Sequence, residues 1–247
     1  MLSKTAIKYI QSLSFKKFRD EKDVFVAEGP KVVEEILRSG KCKCRGIYAT
    51  AAYLDEAEDK LSSNGINMEI VSQMELEKMS GLKKPNLILA VFEKREIESL
   101  KNLENNITLI LDNIMDPGNM GTIIRIADWF GLKNIICSEH CVDIYNPKVI
   151  QSSMASIARI NIVYKELVGF IREHSDIKSY AATLRGKSIF TSEKMFPCFL
   201  IIGNESKGIE KKILDIVNEE ISIPRIGDAE SLNAAVATGI LISAIKN

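Results

Sequence analysis

The sequence contains no apolar run near the roughly 18 residues that a membrane-spanning helix needs, so we expect no membrane association. Its first residues, MLSKTAIKYIQSL, are interrupted by charged side chains, which argues against a secretory signal. Cysteine is scarce and odd in number, five in 247 residues, and this usage favours reduced thiols in a cytoplasmic protein. Cys42 to Cys44 and Cys137 to Cys141 lack a second matching pair, so we expect no metal and interpret these residues as structural or incidental thiols.

The net charge is zero, but the charges are unevenly distributed. Residues 1–45 contain 11 Lys and Arg against 6 Asp and Glu, whereas residues 46–105 contain 7 against 11. The basic residues cluster near the start of the chain, where a local patch of this kind attracts phosphate groups: Lys4, Lys8, Lys16, Lys17, Arg19 and Lys22. On charge alone, a solvated helix face explains the same pattern somewhat better.

The first part of the chain, residues 1–95, is predicted to be a small α/β domain. It begins with a predicted helix over residues 3–19 that buries Ile7, Ile10, Leu13 and Phe18. Strands are predicted at 24–27, 46–49, 66–71 and 87–92, and further helices at 31–39, 51–62 and 73–79. Residues 96–106 lie in a charged, Asn-rich stretch that we assign as a linker.

The second part, residues 107–247, has longer and more apolar strands. They are predicted at 107–111, 134–138, 160–164, 178–183, 198–202 and 220–223. Because helical segments separate most of them, we expect an α/β domain with a mostly parallel sheet covered on both faces. Ligands of such sheets bind beyond the carboxyl ends of the strands, so the loops at those ends are the candidate site.

The first of these loops joins strand 107–111 to a helix that Asp116 can cap and Pro117 can begin. Asn119 lies at the start of this helix, and Arg125 lies on an arc that flanks its core-facing side. An ordinary βα unit, with Arg125 paired to Asp128 on the surface, would look the same.

Two further loops follow later strands. Gly203 to Gly208 reads Gly-Asn-Glu-Ser-Lys-Gly before a helix expected from about Ile209, and it is neither a dinucleotide fingerprint nor a P-loop. Ser231 and Asn233 precede the last helix, where free N–H groups favour an anion. A left-handed turn and a simple N-cap at Ser231 are the alternative interpretations.

Together the three loops resemble the SpoU (TrmH) group of RNA ribose 2′-O-methyltransferases, which use S-adenosylmethionine. The matching segments are Asp116-Pro117-Gly118-Asn119-Met120-Gly121 with Arg125, Ala127 and Gly131; Gly203-Asn204-Glu205-x-x-Gly208; and Ile223-Pro224 followed by Ser231-Leu232-Asn233. The first domain also resembles that family's RNA substrate-binding domain. One segment departs from the family pattern, since Gln151 replaces a usual Arg and Ala155 a usual Gly.

The resemblance implies a C-terminal trefoil knot, a homodimer and a cytoplasmic enzyme that methylates RNA, with ribosomal RNA favoured over transfer RNA. It implies that Lys8, Lys16, Lys17 and Arg19 bind RNA. The implied catalytic residues are Asn119, Arg125, Glu205, Ser231 and Asn233. The implied cofactor-binding residues are Thr183, Leu184, Gly203, Asn204, Glu205, Gly208, Ile223, Ser231 and Leu232.

Family accounts make Arg125 the general base, but a guanidinium normally stays protonated. We therefore expect Arg125 to hold an RNA phosphate and to stabilise the developing alkoxide. The alternatives are a transfer RNA 2′-O-methyltransferase, a non-catalytic RNA-binding relative and an unrelated nucleotide-binding enzyme.

Overall fold

The computed structural model describes residues 2–61, 66–82, 84–191 and 195–246, without the side chains of residues 58–61. The chain forms two compact units. The first contains Met1–Glu96 and Asp143–Arg159, and the second contains Ile97–Val142 and Ile160–Asn247. Asp143–Arg159 therefore packs with the first unit, although its sequence position lies inside the region predicted as the second domain.

The first unit is built around a four-stranded mixed sheet. Its elements are α1 (Lys4–Ser12), α2 (Lys16–Lys22), β1 (Val24–Glu28), α3 (Pro30–Ser39), β2 (Cys44–Ala49), α4 (Ala51–Leu61), β3 (Met68–Ile70), α5 (Gln73–Met79), β4 (Ile88–Glu93) and α7 (Pro147–Ser153). The strand order is β1-β4-β2-β3. Strand β4 is antiparallel to both β1 and β2, and β3 is parallel to β2. The last residue of the helix predicted at 51–62 lies outside the described residues.

The single helix predicted over residues 3–19 is wrong, because α1 ends at Ser12 and α2 begins at Lys16. Phe15, in an extended conformation with φ −93° and ψ 132°, separates the two helices. The change of direction reverses two predicted orientations: Phe18 is 38% exposed and Arg19 only 2%. Arg19 turns inward because its Nη1 donates to the carbonyl oxygens of Leu13 and Ser14, each at 2.8 Å.

The second unit contains the predicted parallel sheet. Its elements are β5 (Ile107–Leu111), α6 (Pro117–Trp129), β6 (Asn134–Cys137), β7 (Asn161–Tyr164), α8 (Leu167–Glu173), β8 (Ser179–Ser188), β9 (Cys198–Ile202), α9 (Lys211–Leu214), β10 (Glu219–Ser222) and α10 (Ala234–Lys246). The six strands lie in the order β10-β8-β9-β5-β6-β7, and every neighbouring pair is parallel. Strands β5 and β9 are buried along their whole length, as expected for central strands covered on both faces.

Helices α6 and α10 pack together in the second unit. Gly239 of α10 faces Ile126 of α6, and a Cβ built at Gly239 would lie 3.6 Å from Ile126 Cδ1. At the other end of the pair, Lys246 Nζ donates to the carbonyl oxygen of Phe130 at 2.6 Å and so caps the end of α6. Within the described parts of the chain, no helix is long and apolar enough to cross a membrane.

Candidate functional site

The candidate site lies beyond the carboxyl ends of β5, β9 and β10, where the three predicted loops begin. The first loop leads into α6, whose N-cap is Asp116; its side chain accepts from the backbone N–H of Asn119 at 2.8 Å. This confirms the predicted cap and fixes the position of Asn119 at the start of the helix.

Asn119 joins the three loops. Its Nδ2 donates to Glu205 Oε1 in the loop after β9. Its Oδ1 accepts a hydrogen bond of 2.7 Å from Asn233 Nδ2 in the loop before α10. Three residues from three separate predicted motifs therefore form one continuous chain of hydrogen bonds, with all its members on the protein surface.

Asn233 has a second task, since its Oδ1 accepts from the backbone N–H groups of Ala235 at 3.0 Å and Val236 at 3.3 Å. It is therefore the N-cap of α10, and the alternative interpretation of Ser231 as that cap is wrong. Ser231 and Arg125 are both exposed, and neither forms a hydrogen bond or ion pair within the described part of the chain. The surface pair expected between Arg125 and Asp128 is thus not formed.

Backbone hydrogen bonds close the loop after β9, and its two predicted glycines make this closure possible. Asn204 and Gly208 exchange backbone hydrogen bonds of 3.1 and 2.9 Å. A Cβ added to Gly203 would lie 2.6 Å from the carbonyl oxygen of Gly208, so no larger residue fits without movement of the backbone. Gly208 has φ +71°, which favours glycine.

Asp112, Asn113 and Glu210, which the sequence does not predict as site residues, hold this loop on the sheet together with the predicted Asn204. Asn204 Nδ2 donates to the carbonyl oxygen of Asn113 at 2.9 Å. Asn113 Nδ2 in turn donates to Asp112 Oδ1 at 2.8 Å and to Glu210 Oε1 at 3.0 Å. Asp112 Oδ2 accepts from the backbone N–H of Glu210 at 2.8 Å. The adjacent Asp112 and Asn113 carried a signal, but the sequence alone indicated only a turn.

Burial and hydrogen bonding shift the pKa values of the two carboxyl groups in this network, Asp112 and Glu210, in opposite directions. Burial raises the pKa of Asp112 above its usual value, although the hydrogen bond from the Glu210 backbone opposes that shift. Hydrogen bonds from Lys212 and Asn113 lower the pKa of Glu210. The network therefore keeps the half-buried Glu210 carboxylate ionised beside the buried Asp112.

Strand β8 supplies the predicted cofactor residues Thr183 and Leu184. Glu220 of β10 pairs with Ala181, but the next residue, Ile221, pairs with Lys187, so residues 182–186 leave the ladder. Within this segment Thr183 Oγ1 is buried and has no partner among the described residues, while Leu184 is exposed. A buried hydroxyl without a partner fits contact with a polar small molecule at this end of the sheet.

The remaining predicted residues differ in accessibility. Ile223 is half-buried and Leu232 is exposed in the loop that follows β10. In the first unit Lys8, Lys16 and Lys17 are exposed, and Lys16 Nζ pairs with Asp20 Oδ2 at 2.6 Å. The prediction that Arg19 contacts RNA is wrong: besides its two carbonyl contacts, the buried guanidinium pairs with Asp143 Oδ2 at 2.6 Å.

Comparison with known families and proteins decides the assignment. The sequence model of the SpoU rRNA Methylase family matches residues 106–243, more than half of the chain. The chain belongs to this family. The MRM3-like substrate binding domain matches residues 4–90.

SpoU relatives are similar over nearly the whole chain. A Bacillus subtilis protein named 23S rRNA (guanosine(2553)-2′-O)-methyltransferase RlmP is 30% identical over 96% of this chain and 94% of its own. A TrmH-family RNA methyltransferase structure from Porphyromonas gingivalis is 31% identical, with a TM-score of 0.86 over 99% of this chain and 98% of its own. An AdoMet-bound rRNA methyltransferase from Sinorhizobium meliloti is 29% identical, with a TM-score of 0.86 over 100% and 96%.

These findings confirm the predicted family and α/β fold class. They also confirm the prediction of an RNA 2′-O-methyltransferase that uses S-adenosylmethionine. In the parts of the chain that the structure describes, no cluster of three or more His, Cys, Asp or Glu side chains could hold a metal ion.

Proposed function

We propose that this SpoU methyltransferase transfers the methyl group of S-adenosylmethionine to a ribose 2′-hydroxyl of ribosomal RNA. The observation that carries the proposal is the chain of hydrogen bonds from Glu205 through Asn119 to Asn233, which joins the three motif loops. Ribosomal RNA is favoured because the Bacillus subtilis relative, similar along nearly its whole length, is named for a 23S rRNA target.

The cofactor would be held where β8, β9 and β10 end. The free hydroxyl of Thr183, the backbone of the glycine-closed loop and the apolar side chains of Leu184, Ile223 and Leu232 provide the polar and apolar contacts that such a molecule needs. The remaining proposed cofactor-binding residues are Gly203, Asn204, Glu205, Gly208 and Ser231. S-adenosylmethionine, when bound, supplies an electrophilic methyl group on a sulfonium centre.

The protein's own residues then have to align the ribose and assist the loss of its proton. We assign alignment to Asn119, Glu205 and Asn233, whose mutual hydrogen bonds fix the relative positions of the loops. Ser231 is exposed beside them and is available to hydrogen-bond the ribose or the cofactor.

Arg125 is assigned to bind the phosphate next to the target ribose and to stabilise charge that develops on the 2′ oxygen. Its exposed guanidinium has no protein partner in the described structure, so it is available to an RNA anion. A guanidinium stays protonated at neutral pH, which makes it a better electrostatic stabiliser than a general base.

Residues 1–95 are proposed to bind the RNA substrate through Lys8, Lys16 and Lys17, with 96–106 as the linker and 107–247 as the methyltransferase domain. We further propose a cytoplasmic homodimer with a C-terminal trefoil knot. Exposed apolar side chains of the second unit, including Trp129 on α6 and Val236 on α10, support a dimer through these helices.

The test is methylation by the purified protein. Ribosomal and transfer RNA from cells that lack the gene are incubated separately with methyl-labelled S-adenosylmethionine, digested to nucleosides and analysed by mass spectrometry. The proposal expects a labelled 2′-O-methylnucleoside from ribosomal RNA only. Label from transfer RNA alone would reassign the substrate, and no label with bound cofactor would indicate a non-catalytic relative.

Single-turnover methylation against pH tests the role of Arg125. Arg125→Lys keeps the positive charge but not the planar, bidentate donor group, so we expect a slower reaction with an unchanged pH profile. A profile that shifts with the substitution would instead favour the general-base role.

A further inference from the structure

Two phenylalanine side chains at the junction of α1 and α2 lie on the surface. Phe15 is 65% exposed and Phe18 is 38% exposed. Their ring centroids are 6.5 Å apart, with the ring planes at 73°. We call this pair, together with Lys16 and Lys17, the aromatic turn.

Neither Phe15 nor Phe18 is among the buried residues of the first unit. At this junction the side chains that point into the first unit are those of Leu13, which is fully buried, and Arg19, which is almost fully buried. The junction thus buries a charged residue, held by Asp143, and presents its two aromatic residues to solvent. Exposed aromatic side chains that lie close together are a candidate interaction surface.

The charges around the aromatic turn select the chemistry of its partner. Residues 4–22 present five exposed lysines, Lys4, Lys8, Lys16, Lys17 and Lys22, against two exposed carboxylates, Asp20 and Glu21. Asp20 is already engaged by Lys16 and Lys94, both at 2.6 Å. Lys17, between the two rings in sequence, forms no ion pair with any described residue. Exposed rings among excess cations match a polyanion with flat apolar groups.

We propose that Phe15 and Phe18 stack on unpaired bases of the RNA substrate while the neighbouring lysines bind its phosphates. This inference rests on the proposed function, because it takes RNA as the substrate. In a duplex the base faces are stacked on one another, so only unpaired bases can reach the aromatic rings. The first unit therefore selects a loop, bulge or single strand.

The angle between the rings further restricts which arrangement of unpaired nucleotides can bind. Two bases that stack on planes 73° apart cannot also stack on each other. The aromatic turn consequently fits splayed nucleotides, as in a loop, better than a continuously stacked single strand. Loss of one stacked base from an aromatic side chain weakens binding by about tenfold.

The test measures binding of the 247-residue chain to two fluorescent RNA probes, a hairpin with a long unpaired loop and a fully paired duplex of equal length. Phe15→Leu and Phe18→Leu, singly and together, keep apolar bulk but remove the stacking face. Phe15→Trp keeps the face and serves as the rescue variant. Met74→Ala, at a residue that is 69% exposed in the same unit, is the matched control.

We expect each leucine variant to bind the hairpin about tenfold more weakly, with little change for the duplex and none for Phe15→Trp or Met74→Ala. Equal hairpin affinity for the double leucine variant and wild type would overturn the proposal. So would a variant that binds naked RNA normally but loses methylation only on assembled ribosomal particles, since that result indicates a protein contact.

A separate measurement distinguishes this inference from the proposed function. Wild-type protein that methylates ribosomal RNA, alongside leucine variants with unaltered hairpin binding, refutes only the role of the aromatic turn. Wild-type protein that binds neither probe and methylates no RNA refutes the proposed function and the aromatic turn together.

Discussion

Replacement of Asn119 tests the hydrogen-bond chain that joins the three loops. Asn119→Ala removes a bond to the Glu205 carboxylate and a 2.7 Å bond from Asn233. A hydrogen bond to a charged group contributes about 1.5–3 kcal/mol and a neutral one about 0.5–1.5 kcal/mol. Because both lie on the surface, where solvent screening weakens them, we take the lower ends and expect about 2 kcal/mol, or about a 30-fold slower methyl transfer.

Asn119→Asp sharpens the same test. The aspartate oxygens can still accept from Asn233, but they cannot donate to Glu205 and they place two carboxylates side by side. We therefore expect a loss at least as large as that of Asn119→Ala. Thr122→Ala on the same helix is the matched control, because the exposed Thr122 hydroxyl bonds to the carbonyl oxygen of Gly118 at 2.8 Å, within its own helix.

The assay is single-turnover methylation at saturating cofactor and RNA, with thermal unfolding of each variant measured in parallel. The expected result is a slow chemical step in both Asn119 variants, with the unfolding temperature lowered by about 4–8 °C at most if the lost hydrogen bonds also stabilise the fold. If Asn119→Ala reacts within about threefold of wild type, the assignment of alignment to this chain is refuted. A rate loss of the same size in Thr122→Ala would assign the effect to the helix rather than to the hydrogen bonds.

Three further predictions concern stability and pH. Arg19→Met should destabilise the protein by about 3 kcal/mol in urea unfolding, because it leaves Asp143 without its cation. Lys17→Met, at an exposed residue, should change stability by less than about 0.5 kcal/mol. Equal effects of the two substitutions would contradict the structural role of the buried Arg19. Ala155 is a non-glycine residue with a left-handed backbone conformation, φ 69°. Ala155→Gly should therefore lower the free energy of unfolding by about 1–2 kcal/mol less than Ala158→Gly at the equally buried neighbour. Equal losses for the two variants would argue against backbone strain at Ala155. Hydrogen bonds from the backbone of Ser72 and then of Leu2 lower the pKa of Glu75 from 4.5 to about 2. The ionised Glu75 therefore stabilises the fold fully above pH 4.5, and this stabilisation is lost as the pH falls through about 2. When thermal stability is measured during acid titration, Glu75→Gln should remove this pH dependence, and an unchanged titration curve would contradict the prediction.

Local signals in the sequence were sufficient for the elements that carry the site. The apolar run Ile107–Leu111, the cap at Asp116 and Pro117 at the first helical position predict β5 and α6, and the structure has both. Parallel strands bring their carboxyl-end loops to one edge, so the meeting of three motif loops was also predictable. Which side chains would bond was not, because Asn119 and Asn233 are 114 residues apart.

The junction of α1 and α2 shows why local pattern fails elsewhere. Residues 13–15 contain neither Gly nor Pro, and the apolar spacing continues across them, so the sequence predicts one helix. The break depends on Arg19, which holds carbonyl oxygens at the junction and a carboxylate 124 residues away. A tertiary ion pair of this separation leaves no periodic signal.

The register change between β8 and β10 is non-local in the same way. The sequence predicts a strand at 178–183, whereas β8 continues to Ser188 because Lys187 and Ser188 pair with β10 after the interruption at 182–186. Gly186 permits this approach, since a Cβ there would lie 2.4 Å from the backbone nitrogen of Ile221. A glycine inside a strand pattern signals a close approach without identifying its partner.

Nucleotide-resolution mapping of 2′-O-methyl groups shows whether this protein 2′-O-methylates ribosomal RNA in the cell. Ribosomal RNA is compared between a strain that lacks the gene, the same strain with the wild-type gene restored and the same strain with Asn119→Ala. We expect that one ribosomal RNA methylation disappears on deletion, returns with the wild-type gene and stays low with the variant. An unchanged ribosomal RNA map in the deletion strain would contradict it.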